Sequence, residues 1–88
     1  MTTTEKRTYN AFMFKQKHGN TDMSQDILTI MYLREYGSIT PLEALNAFGC
    51  LRLASVIFRL RKVGEKIDTY IVEDGKKRYA NYVLRRDE

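Results

Sequence analysis

Apolar residues recur at three- and four-residue spacing through Ile27, Leu28, Ile30, Met31, Leu33 and Tyr36. That period predicts an amphipathic helix, capped by Thr21, Asp22 or Ser24 and stopped by Gly37. Ser38-Ile39 leaves room for a very short strand. Thr40-Pro41-Leu42-Glu43 then carries a full helix start: a capping threonine, a proline at the first helical position, and a glutamate that reaches back. Leu42, Leu45 and Phe48 are the predicted inward face of this short second helix, with Gly49 as its stop. Helical spacing resumes at Leu53, Val56, Ile57 and Leu60, which predicts a third helix over residues 51–63, ending at Gly64. Residues 66–72 and 77–84 are rich in β-branched and aromatic side chains, and Asp74-Gly75 between them is a hairpin signal.

This order of elements predicts an α+β, mostly helical fold. Helix, short strand, helix, glycine turn, helix and hairpin make a winged helix-turn-helix, with three helices and a C-terminal β-hairpin wing. The domain is expected over residues 22–86. Residues 1–21 are polar, rich in Thr, Lys and Asn, and end in His18-Gly19-Asn20-Thr21, so they read as a partly ordered N-terminal arm. Tyr9, Phe12, Met13 and Phe14 are too apolar for a free tail and are expected to pack, on the domain or on a second copy of it. Tyr70, Tyr79 and Tyr82 are assigned to packing under the hairpin rather than to base stacking. Cys50 is expected to plug the gap between the second and third helices, and His18 to lie on the surface.

Composition narrows the classes of function. A hydrophobic share of 43% with 30% charged residues over 88 positions fits one small folded domain. No apolar run approaches the roughly 20 residues that span a bilayer, so no membrane partner and a cytoplasmic location are expected. One cysteine and one histidine supply neither an internal disulfide nor the ligands of a structural zinc site. The chain has no phosphate-binding glycine loop and no carboxylate pair with a plausible pocket. Catalytic residues, metal and cofactor are therefore all expected to be none, and the protein to be no enzyme.

Charge sharpens the picture. The formal net charge of +4 lies wholly after Cys50, because residues 1–50 balance to zero. Residues 51–63 contain no acid at all. With Leu53, Val56, Ile57 and Leu60 turned inward, Arg52, Ser55, Arg59 and Lys62 fall on one outward stripe of the third helix. Such a stripe suits the major groove of double-stranded DNA, where Arg bonds two acceptors of guanine and neighbouring cations engage phosphates. Arg52 and Ser55 are the candidates for base edges, while Arg59 and Lys62 read bases or grip the backbone. Lys76, Lys77 and Arg78 at the hairpin tip suit a wing lying over phosphates or the minor groove. The stem of Arg61 is expected to cover the edge of the core.

Several of these segments resemble a known family. Ile39-Thr40-Pro41-Leu42-Glu43-Ala44, Phe48-Gly49-Cys50, Arg52-Leu53-Ala54 and Arg61-Lys62-Val63-Gly64, followed by an aromatic-rich hairpin, are similar to small helix-turn-helix domains common in bacteriophages and prophages. The resemblance covers roughly residues 24–84. It implies a winged helix presumed to bind DNA, and it aligns Arg52 with the family's arginine at the start of the third helix. The arm lies outside the pattern and inherits nothing. Two readings follow. One is a transcription regulator or architectural factor of the repressor or excisionase type, acting on duplex DNA in a bacterial host cell. The other is an interaction module that binds and inhibits a host protein. A homodimer would multiply the few base contacts that one recognition helix makes.

Overall fold

The computed structural model describes residues 2–19 and 22–86, so Met1, Asn20, Thr21, Asp87 and Glu88 lie outside the described residues. Among the described residues, four helices and a three-stranded antiparallel sheet surround a single core.

The segment read as an arm is helix α1 (Thr3–His18). Thr2 caps it by accepting from the Glu5 amide, Glu5 sits in its first turn, and Lys15, Lys17 and His18 sit in its last, all complementing the helix dipole. Only Ala11 and Phe14 enter the core, whereas Tyr9 and Phe12 are half exposed. Phe14 is fully buried and packs against the rings of His18, Tyr32 and Phe48 at 4.5, 5.1 and 5.8 Å. His18 is therefore half-buried on an aromatic neighbour, not the plain surface residue expected.

Ser24 caps α2 (Gln25–Tyr36), and the chain leaves that helix at Gly37. Its buried side is Leu28, Thr29, Tyr32 and Leu33. The Thr29 hydroxyl donates to the Gln25 carbonyl at 2.7 Å, which removes the cost of burying it. Burial also raises the pKa of the Tyr32 phenol strongly, so this ring stays neutral in the core.

Helix α3 (Pro41–Phe48) opens with the expected capping box, Thr40 and Glu43 each accepting from the other's amide. Its inward face differs from the expected one. Leu42 and Leu45 are exposed, Phe48 is half-buried, and Glu43, Ala44 and Ala47 face inward. Small alanines let α1 and α3 approach closely, and Glu43 is held inside by Arg7, whose guanidinium donates to both of its carboxylate oxygens at 2.6 and 2.8 Å. Arg7 also donates to Ser38 and Asn81, so one side chain ties α1 to α3, β1 and β3.

Gly49 has φ +68, a conformation that lets the chain turn by 96° between α3 and α4 (Leu53–Lys62). An angle near this value defines the helix-turn-helix pairing. Cys50 is 2% exposed at that corner, as expected of a plug. Leu53, Val56, Ile57 and Leu60 are all buried, while Val63 just beyond them is exposed.

The hairpin pairs β2 (Ile67–Asp74) with β3 (Lys77–Leu84) in unbroken register, from Ile67 opposite Leu84 to Asp74 opposite Lys77. The strands thus run past the expected limit at residue 72 and leave a two-residue loop, Gly75-Lys76. Gly75 has φ +62 and Lys76 does not share the positive φ, which is the pattern of a type II′ turn. The short strand β1 (Ser38–Ile39) joins the other side of β3, giving the order β1-β3-β2. Of the three hairpin tyrosines assigned to packing, only Tyr82 is buried. Tyr79 is an odd number of residues from Tyr82 and so points to the opposite face, and Tyr70 shares that outer face. No single helix among the described residues is long and apolar enough to cross a membrane.

Candidate nucleic-acid interface

The turn at Gly49 and Cys50 sets α4 across α3, and the four buried aliphatic residues fix its rotation about its own axis. Arg52, Ser55, Arg59 and Lys62 are consequently all exposed. Arg52 is the residue at which the helix begins: its carbonyl accepts from the Ser55 and Val56 amides, while its guanidinium makes no capping bond and no hydrogen bond or ion pair with a described residue. Ser55 lies one turn further along.

Arg59 is differently placed. It donates to both carboxylate oxygens of Asp26 on α2, at 2.9 and 2.7 Å. The bonded guanidinium holds the Asp26 carboxyl below the usual carboxylate range. At neutral pH one cation of the stripe is thus neutralised inside the molecule. Lys62 keeps its charge outward, with its ammonium 4.8 Å from the centre of the Phe58 ring.

The outward line of α4 also contains a residue that the search for cations misses. Phe58 lies between Ser55 and Lys62 at spacings of three and four, opposite the buried face, and is 58% exposed. Its signal in the sequence is its place one residue beyond the inward Ile57 and two before the inward Leu60. Leu51, just ahead of the helix, is exposed as well.

Arg61 turns away from this face. It donates twice to the Ile67 carbonyl, at 2.9 and 2.7 Å, and once to the Thr69 hydroxyl, joining α4 to the base of the hairpin. The guanidinium thus has a structural task, though a hydrogen-bonding one in place of the covering of the core edge expected of its stem. Arg85 pairs with Asp68, and Arg34 with Glu65.

Lys76, Lys77 and Arg78 are exposed at the far end of the hairpin. Strand alternation sends Lys77 and Arg78 to opposite faces, with Arg78 across from Glu73 at 4.0 Å and Lys77 paired in register with Asp74. Both also border a groove of about 510 Å3 that they share with Thr4 and Thr8 of α1 and Leu42 and Asn46 of α3. The two basic clusters are therefore at opposite ends of β2: α4 joins its base through Arg61, and Lys77 and Arg78 at the tip border α1 and α3.

Helices α2, α3 and α4, the last two meeting at 96° about a glycine corner, an exposed face on α4 and a β-hairpin wing define the winged helix-turn-helix class. Residues 24–87 match the winged helix-turn-helix domain model, and the chain belongs to that family. Membership implies binding to double-stranded DNA. Helix α1 precedes the matched region. Neither a curated protein nor a solved structure matches the chain.

Proposed function

We propose that this protein is a regulatory or architectural DNA-binding factor of the phage and prophage type, placing α4 in the major groove. The observation that carries the reading is the outward face of α4, where Arg52, Ser55, Phe58 and Lys62 are exposed and no acid lies between Leu51 and Val63. Arg52 and Ser55, at the end of the helix nearest the corner, meet base edges. Lys62 meets a base or a phosphate, and Lys76 and Lys77 meet phosphates from the wing. Arg59 joins them on exchanging Asp26 for a phosphate. A single face of this size makes few contacts, so a second copy on an adjacent half-site raises the affinity of the complex.

The test is duplex binding followed by fluorescence anisotropy across a salt series, for the parent chain and for Arg52→Ala and Lys62→Ala. Each substitution is expected to weaken binding about fivefold or more, and affinity is expected to fall steeply with salt. Binding that ignores salt and both substitutions rules the reading out.

The exposed side chains of Leu51, Phe58 and Val63 favour one competing reading, a module that binds and inhibits a host protein through the same helix. Under it, Phe58→Ala abolishes capture of that protein while duplex binding is absent from the start.

A further inference from the structure

We infer that Phe58 and Lys62 together read a thymine in the DNA site, an assignment that rests on α4 occupying the major groove. An exposed phenyl ring at the centre of the outward face is unusual company for Arg52, Ser55 and Lys62. Burial of a ring this size in a core stabilises a protein substantially, yet α4 turns Val56, Ile57 and Leu60 inward and leaves Phe58 58% exposed. The residues before it on the same face, Ala54 and Ser55, are small and exposed. The ring leans over that turn because helical side chains tilt toward the N-terminus, so the small Ala54 and Ser55 leave it open to a partner on that side.

Lys62 completes the device. Its ammonium lies 4.8 Å from the ring centre, which fixes a hydrogen-bond donor beside an apolar surface. In the major groove, thymine alone presents an acceptor, O4, next to a methyl group on C5. Cytosine offers a donor and no methyl at the corresponding edge, and the purines offer no methyl at all. A phenyl ring against the methyl with an ammonium on O4 therefore selects thymine, the ring through the methyl and the ammonium by rejecting the cytosine donor. Arg59, held by Asp26, sits beside this pair and is not needed for it.

The experiment starts with selection of bound sequences from a pool of random duplexes, followed by anisotropy titrations of the preferred site with each thymine replaced in turn by deoxyuridine. That replacement removes one methyl group and leaves O4 in place. In the parent chain one thymine per bound copy is expected to be sensitive, with affinity falling about fourfold, the equivalent of roughly 0.8 kcal/mol for a buried methyl-sized group. Phe58→Ala is expected to weaken the unmodified site by at least as much and to be indifferent to uridine at that position. The variant removes an exposed side chain, and its circular dichroism is expected to match the parent. A preferred site without thymine, a parent chain indifferent to every uridine, or a Phe58→Ala chain as sensitive as the parent overturns the inference. A parent chain that binds no duplex at all overturns the DNA reading and this inference with it.

Discussion

Arg59 has two candidate partners, and they compete. Asp26 occupies it in the free protein, and the depressed carboxyl shows the direction of that preference. Because the folded value lies below the ordinary one of about 3.9, the stabilisation from this contact is fully present above that pH. It is lost as the pH falls through the depressed value, so the pair is intact wherever duplex DNA is. A phosphate must displace Asp26 before Arg59 adds to affinity. Asp26→Asn leaves a similar side chain without the charge and frees the guanidinium, so duplex binding at low salt is expected to tighten about two- to fivefold. Anisotropy with the parent and the variant measures it, and unchanged affinity would place Arg59 away from the phosphates. This pairing spans 33 residues and leaves no local trace, so the sequence reveals Arg59 as outward but not as engaged. Arg7 is the same kind of case, with a partner 36 residues away. The exposure of Arg52, Ser55 and Lys62, by contrast, follows from the helical period alone. So does that of Phe58, once every outward position and not just the cationic ones is counted.

Helix α1 lies before the family-matched region, yet it supplies one of the largest fully buried side chains in the protein. Phe14 fills a space bounded by Tyr32 of α2 and Phe48 of α3, so removing its ring opens a cavity between three helices. Phe14→Ala is expected to cost about 3–5 kcal/mol, a large part of the 5–15 kcal/mol available to a small domain. Chemical denaturation followed by circular dichroism would register a lower midpoint, and a change below about 1 kcal/mol would show α1 to be dispensable. The sequence hides this helix because its inward side is narrow. Ala11 and Phe14 are its only buried residues, and the nearby Tyr9 and Phe12, half exposed, blur the period. Helix α3 misleads in the opposite sense, since Leu42, Leu45 and Phe48 have the right spacing for a buried face. Close approach of α1 selects the alanines instead, and the charge of Glu43 is admissible inside because Arg7 crosses from α1 to meet it. The starts and stops of α2 and α3, which depend on caps and glycines next to one another in the chain, are readable, including Ser24, the Thr40-Glu43 box and Gly49.

For the molecule as a whole, the number of basic residues after Cys50 overstates what is offered to a polyanion. Ten basic residues follow Cys50, but Arg59 and Arg85 are paired with acids, Arg78 lies 4.0 Å from Glu73, Arg61 is spent on the backbone of β2, Arg86 donates to the Arg34 carbonyl, and Lys66 is engaged as well. Arg52, Lys62, Lys76 and Lys77 remain as exposed cations with no ion pair to a described residue. About four phosphate contacts give a slope near −3.6 in a plot of log affinity against log salt, so binding should fall by about two decades between 50 and 200 mM. The wing decides how that slope divides. If the hairpin end lies on the DNA backbone, Lys76→Ala with Lys77→Ala reduces the slope by about two while leaving the preferred sequence unchanged, because phosphate contacts position the protein and do not read bases. If the hairpin end stays off the DNA, with Lys77 serving only the groove that it shares with α1 and α3, the slope stays at its parental value, and the DNA-facing surface shrinks to α4 alone. The two ends of β2 can be assigned by this one pair of salt titrations, since the base of the hairpin is already fixed to α4 through Arg61.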